Sequence, residues 1–234
     1  MLRWRTLGSI GVFFGGLSAA AAQAQLSVSV AAESDHRFRG VSLSDGRPDL
    51  RLSVGLDDAS GVYGGAMAVS PVRFGPDSRA TELLGYVGYV ARFGPAFSVE
   101  AGVASAAFVG DTRYNYSEAY VGIAGERWSA RVYYAPSYFG FAQRTVYAEI
   151  DASRPLSERW RVDAHVGALS GLGAIASDAA RSRHRVDARI GLGCALTASI
   201  DAQLAWVGAS GAGPYVAYSD ARRNTLVLSL SASF

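Results

Sequence analysis

The residues able to do chemistry recur at alternate positions. Arg161, Asp163 and His165 share one parity, as do Asp187 and Arg189, and Glu149 and Asp151. Glu33, Arg51, Glu82, Arg92, Glu100, Glu118, Arg131 and Asp201 hold equivalent places in other stretches. Charges of both signs at this spacing suit two roles. One is a salt-bridge network that satisfies itself. The other is a polar constriction that passes small hydrophilic solutes. Mixed signs argue against strong ion selectivity, which needs rings of one sign. Catalysis is poorly served. His36, His165 and His184 are scattered, Cys194 is alone, and no metal-ligand spacing occurs. His165 beside Asp187 supplies two members of a triad, but no Ser is placed with them and no G-x-S-x-G elbow exists. No catalytic residue, cofactor or metal is therefore expected.

The elements that carry these residues read as strands. Leu50, Leu52, Val54 and Leu56 alternate with Arg51, Ser53, Gly55 and Asp57. Val186, Ala188, Ile190, Leu192 and Cys194 alternate with Asp187, Arg189, Gly191 and Gly193. The chain ends in the same way: Leu226, Leu228, Leu230, Ala232 and Phe234 share one face. Period two with one apolar face is a strand against an apolar medium. Twelve such stretches are expected, at 26–34, 48–57, 61–70, 81–93, 96–108, 114–124, 127–135, 144–153, 159–169, 184–196, 198–207 and 223–234. Apolar-out, polar-in segments of about ten residues are the signature of a transmembrane barrel. The fold expected is an all-β, antiparallel transmembrane β-barrel of twelve strands. A soluble sandwich would turn its apolar faces inward and need not bias its connections.

Both ends and the composition agree. Arg3 and Arg5 precede an apolar run from Leu7 to Ala21, and Ala22-Gln23-Ala24 fits a signal-peptidase site. Residues 1–24 are thus expected to be a cleaved signal peptide, and 25–234 one barrel domain. The alternative is a retained N-terminal helix, for which the run is short. All 22 basic residues are Arg. With Arg3 and Arg5 set aside, 20 arginines balance 20 acidic residues, and no basic surface for nucleic acid results. The lone Cys194 has no internal disulfide partner.

Connections alternate short and long. Short turns fall at 57–61, 93–95, 125–127 and 153–158, with almost none near Thr197. Long links span 35–47, 71–80, 109–113, 136–143, 170–183 and 208–222. In outer-membrane barrels the short turns are periplasmic and the long loops external, which puts both termini in the periplasm. Reflecting strands about these turns pairs Asp151 with Arg161, Asp163 with Arg189 and His165 with Asp187, and sets Glu149 near Arg131 and Asp163. An external basic patch is expected from Arg181, Arg183, His184, Arg185, Arg222 and Arg223, facing lipopolysaccharide or recruiting an anionic solute. Asp35, His36, Arg37 and Arg39 are expected to pair at the barrel rim. Phe93, Phe97, Tyr116, Trp128, Tyr134, Tyr138, Phe139, Trp160, Trp206 and Phe234 fit interfacial girdles.

The chain also resembles a family. Ser34-Asp35-His36-Arg37-Phe38-Arg39-Gly40-Val41-Ser42 is similar to the S-D-Y-R-F-R-G-x-S opening of the TorF family of porin-like proteobacterial outer-membrane proteins. Gly61-Val62-Tyr63-Gly64-Gly65, Glu82 to Tyr89 and Tyr133 to Phe139 fit further motifs of that family, as do Val146 to Glu149, Trp160 to Gly167 and the tail Leu228 to Phe234. Departures fall at His36, where Tyr is usual, and at Leu84, where the pattern has Asp. The resemblance implies an outer-membrane pore of no settled substrate and no catalytic residues. A tail of this kind implies delivery to the barrel-assembly machinery through the strand ending in Phe234.

Overall fold

The computed structural model describes residues 24–74, 78–140, 142–173, 184–210 and 223–234. In chain order the strands are β1 (Gln25–Glu33), β2 (Arg37–Phe38), β3 (Val41–Ser42), β4 (Asp49–Asp57), β5 (Val62–Val72), β6 (Ala80–Phe93) and β7 (Phe97–Val109). They continue with β8 (Tyr116–Ala124), β9 (Trp128–Ala135), β10 (Arg144–Pro155), β11 (Trp160–Leu172), β12 (His184–Ala195), β13 (Ile200–Ser210) and β14 (Asn224–Ser233). β1 and β4 to β14 form a closed antiparallel barrel of twelve strands, each paired with its chain neighbours, with β1 hydrogen-bonded to both β4 and β14. Closure removes the sheet edges. β2 and β3 form a separate two-stranded ribbon.

Parity decides which face each residue takes. Leu50, Leu52, Val54 and Leu56 are exposed on the outer wall, as are Leu226, Leu228 and Leu230. Glu82, Glu100, Glu118 and Arg131 are buried on the inner one. This polarity is the reverse of a water-soluble protein. A continuous exposed belt of Leu, Val and Ile suits hydrocarbon. Phe93, Phe97, Trp128, Trp160 and Phe234 stand exposed near the short-turn end, where a girdle is expected; Tyr134 and Trp206 are also exposed. Tyr116, Tyr138 and Phe139 are not anchors. They are buried inside the barrel.

The short turns are 58–61, 94–96, 125–127, 156–159 and 196–199, all at the end that carries the termini. Two were misplaced by the sequence reading. β10 runs on to Pro155, so its turn is 156–159. Thr197 Oγ1 accepts from the backbone N–H of Ser199 and Ile200 at 3.2 and 3.0 Å, which makes a four-residue turn and delays β13 to Ile200. Phe234 exchanges backbone hydrogen bonds with Val28 rather than Leu26.

Inward glycines make room for bulky neighbours. A Cβ on Gly88 would lie 2.6 Å from the ring of Tyr63, its cross-strand partner. The inner wall thus alternates tyrosine with bare backbone, which lets large rings lie flat along it.

Candidate functional site

The first long connection does not stay at the rim. It folds into the barrel. Ser34 prolongs the wall, exchanging hydrogen bonds with Leu228 on β14 at 2.9 and 3.0 Å. Asp35 then organises the loop. Its carboxylate accepts from Ser42 Oγ at 2.5 Å, Arg37 Nε at 2.7 Å, Ser44 Oγ at 3.1 Å and Gly46 N–H at 3.2 Å. β2 and β3 are joined by Arg39 and Gly40, with φ of 49° and 75°. Two positive φ values at a two-residue turn give the twist that a tight hairpin requires. The sequence signal for this hairpin was present: Arg39-Gly40 between Phe38 and Val41.

The hairpin crosses the lumen. On the near side Arg73 N–H donates to Leu43 O at 2.6 Å. At the tip Arg39 reaches Glu118 on β8, Nη2 to Oε1 2.7 Å, and the Tyr138 hydroxyl at 3.1 Å. Its guanidinium carbon lies 4.1 Å from the ring centre of Tyr147 and 5.1 Å from that of Tyr133. Burial opposes the charge on Arg39. The Glu118 carboxylate and the surrounding tyrosines outweigh it, so its pKa lies above the ordinary value and the cation persists. Gly40 touches the opposite wall: a Cβ there would stand 2.7 Å from Asp187 Cβ and 2.8 Å from Ala209 Cβ. Its carbonyl accepts from Arg185 Nη2 at 3.0 Å. Phe38 packs with Tyr116 and Phe139, and Phe74, Phe108 and Tyr114 extend this aromatic core beneath the loops.

Below the hairpin the inner wall is a ladder of ion pairs. Arg131 Nε donates to Glu100 Oε1 at 2.5 Å, and its Nη1 stands 3.9 Å from Glu149 Oε1. Tyr63 donates to Glu100 at 2.7 Å, and Tyr133 to Glu149 at 2.8 Å. His165 lies between Asp151 (Nδ1 to Oδ1 2.8 Å) and Asp187 (Nε2 to Oδ1 3.0 Å), with the Tyr147 hydroxyl 3.0 Å from Nε2. Arg161 donates to both oxygens of Asp201 at 2.6 and 2.8 Å and to Asp163 at 2.9 Å. Gln203 joins Asp163 to Arg189: Nε2 donates to Asp163 at 2.7 Å, and Arg189 Nη2 donates to Gln203 Oε1.

All eight residues expected in a lumen network (Arg131, Glu149, Asp151, Arg161, Asp163, His165, Asp187 and Arg189) belong to this ladder. Their partners differ in part. Glu149 does stand opposite Arg131. Asp151 faces His165 rather than Arg161, and Asp163 faces Ser153 and Gly191 rather than Glu149 or Arg189. The shift, four residues between β10 and β11 and two between β11 and β12, follows from where the turns lie. It keeps parity, so each group still points inward. His165 and Asp187 are not register partners, yet meet diagonally. Arg92 keeps the inward parity, opposite the buried Ser98, but at the short-turn end it is exposed.

The basic patch does not form as drawn. Arg181, Arg183 and Arg222 lie outside the described residues. His184 and Arg223 are exposed, but Arg185 is buried inside, because β12 starts at His184 and 185 shares the inward parity of 187. The sequence reading missed the luminal role of Arg39 and Arg185, the pairing of Arg39 with Glu118, and the contact of Ser170 Oγ with His184 Nδ1 at 3.0 Å on the rim.

Solved structures share this architecture. The KdgM porin aligns at 13% identity with a TM-score of 0.57, covering 89% of this chain and 99% of that one. The NanC porin aligns at 12% identity with a TM-score of 0.57 and the same coverage. A second KdgM structure, in complex with disordered oligogalacturonate, aligns at 14% identity with a TM-score of 0.56, again covering 89% of this chain and 99% of that one. At such identity the likeness is one of fold. No curated protein matches the chain. The family model described as a bacterial protein of unknown function (Gcw_chp) matches residues 18–234, and the chain belongs to that family.

Proposed function

We propose that this protein is an outer-membrane channel that passes small hydrophilic solutes through a narrow charged lumen. The observation that carries this reading is the polarity of the wall. Its outside is a belt of exposed Leu, Val and Ile, and its inside is a ladder of paired charges and tyrosine hydroxyls. An eight-stranded barrel fills with side chains and a sixteen-stranded one leaves an aqueous channel. Twelve strands leave a bore that one infolded hairpin narrows. Selectivity is set by size and polarity: Arg39, Arg51, Arg131 and Arg161 are each met by a carboxylate, so no net field favours either sign.

Residues 1–24 serve as a cleaved export signal, and both termini face the periplasm. The strand ending in Phe234 engages the barrel-assembly machinery, and the exposed belt meets lipid and lipopolysaccharide. Resemblance to the TorF family supports the same assignment.

Planar-bilayer recording of the purified, folded protein tests the channel. Small, uniform conductance steps are expected. Repeated insertions without steps would leave a closed structural or adhesive barrel instead.

A further inference from the structure

Two carboxylates face one another where the hairpin leaves the wall. Glu33 on β1 and Asp49 on β4 are register partners and both are buried, Asp49 at 3% exposure. Like charges directly opposed on neighbouring strands repel. Arg51 relieves one of them, donating Nη2 to Glu33 Oε1 at 2.6 Å. Asp49 gains no hydrogen bond from this. Neither of its oxygens has a hydrogen-bond partner among the described residues. A buried carboxylate without a partner is among the costliest groups a fold can carry.

His36 completes the cluster. Its Nε2 lies 3.0 Å from Glu82 Oε2, and as an ionised carboxylate only accepts, that nitrogen carries the proton. The other nitrogen, Nδ1, points back at Glu33 Oε2 across 3.8 Å and makes no hydrogen bond among the described residues. One ligand atom from each of Glu33, His36 and Asp49 can be chosen so that all three lie within 4.8 Å of one another. Ligands of a single first-row cation sit about 2.1 Å from it, so at most about 4.2 Å apart, and a small side-chain adjustment brings the three into range. The arrangement behind them is the one metal-binding histidines use: the second ring nitrogen is held by a carboxylate, which fixes the ring and raises its basicity.

We propose that Glu33, His36 and Asp49 bind a divalent transition cation that pins the infolded hairpin to β1 and β4. One imidazole nitrogen and two carboxylates suit zinc, manganese or cobalt better than magnesium or calcium, which prefer oxygen alone. The ion takes the position of a proton on Nδ1, gives Asp49 its missing partner, and offsets the Glu33–Asp49 repulsion. The second luminal cluster, Glu149, Asp151 and His165, has comparable spacing. There, however, both imidazole nitrogens already meet carboxylates, and Glu149 already accepts from Tyr133.

Zinc titration of the untagged, chelator-treated, folded protein by calorimetry tests this, with cobalt absorption spectra as a second readout. One zinc per chain is expected, with cobalt d–d bands of mixed nitrogen and oxygen coordination. Asp49→Asn, close to isosteric, should weaken zinc binding at least tenfold while the barrel still migrates faster unboiled than boiled. His36→Gln gives a second chance to see the loss should Asp49→Asn fail to fold. Absence of zinc binding to the unaltered protein overturns the proposal. So does undiminished affinity in the folded Asp49→Asn protein, or a loss seen in His165→Gln instead.

Discussion

His36 and His165 both sit inside the barrel, and each ring lies near two carboxylates. Their settings differ in one respect. His165 rises from β11, and its partners Asp151 and Asp187 come from the two flanking strands. His36 belongs to a loop, and reaches Glu33 and Glu82 only because the chain turns into the lumen. The wall histidine is satisfied on both nitrogens. The loop histidine leaves Nδ1 without a hydrogen bond among the described residues, in a cluster with an Asp49 that lacks one too. Burial opposes a positive charge on His36, but Glu33 and Glu82 more than compensate and lift its pKa to about 10. The difference teaches that strand residues are matched by the pleat, whereas a loop that packs against a finished wall meets whatever charges the wall already has.

Removing the hairpin should break the comparison most visibly. If residues 36–43 are replaced by a short Gly-Ser link, single-channel conductance is expected to rise several-fold. Unchanged conductance would mean that the path avoids the loop. Arg39→Ala comes next. It leaves Glu118 buried without its cation, and removing one member of such a pair costs about 3 kcal/mol. The temperature at which unboiled protein loses its fast-migrating form should fall, and conductance should become noisy as the tip detaches.

Gly40→Ala probes the tip from the backbone side. The positive φ and the close approach to Asp187 and Ala209 cost the new methyl group about 1–2 kcal/mol in the docked hairpin. Protease cleavage within 36–47 should become faster, while the barrel resists. Tyr147→Phe makes the smallest change. It deletes the hydroxyl shared with His165 and Asp187, worth about 1 kcal/mol. Thermal stability should drop slightly with conductance unaltered. A large change in conductance would show that the wall ladder and the loop act as one unit.

Legibility followed the same line. Parity alone places Glu82, Glu100, Glu118, Arg131, Glu149 and Asp187 inside, since a strand alternates whatever its neighbours do. Pairing was less legible. The reading of Asp151 against Arg161 failed by four residues, since Asp151 meets His165, because β10 continues through Pro155 before turning. Least legible was the loop. The run from Ser34 to Ser42 reads as a rim cluster of charges. Only the closed barrel shows that Asp35 collects four donors into a hairpin and that Arg39 finds Glu118 on the far side.

By itself the sequence determined the β class, the number of barrel strands, the alternation of short and long connections, and the inward parity of the wall charges. All of these follow from local geometry: period two, turn chemistry and the polarity of each face. The tertiary structure decided the rest. It set which charges meet across neighbouring strands, turned the first long connection inward, and brought Glu33, His36 and Asp49 into one cluster. The physical reason is distance along the chain. Residues far apart in sequence, such as Arg39 and Glu118 or Gly40 and Arg185, meet only after the barrel has closed and the loop has folded against it.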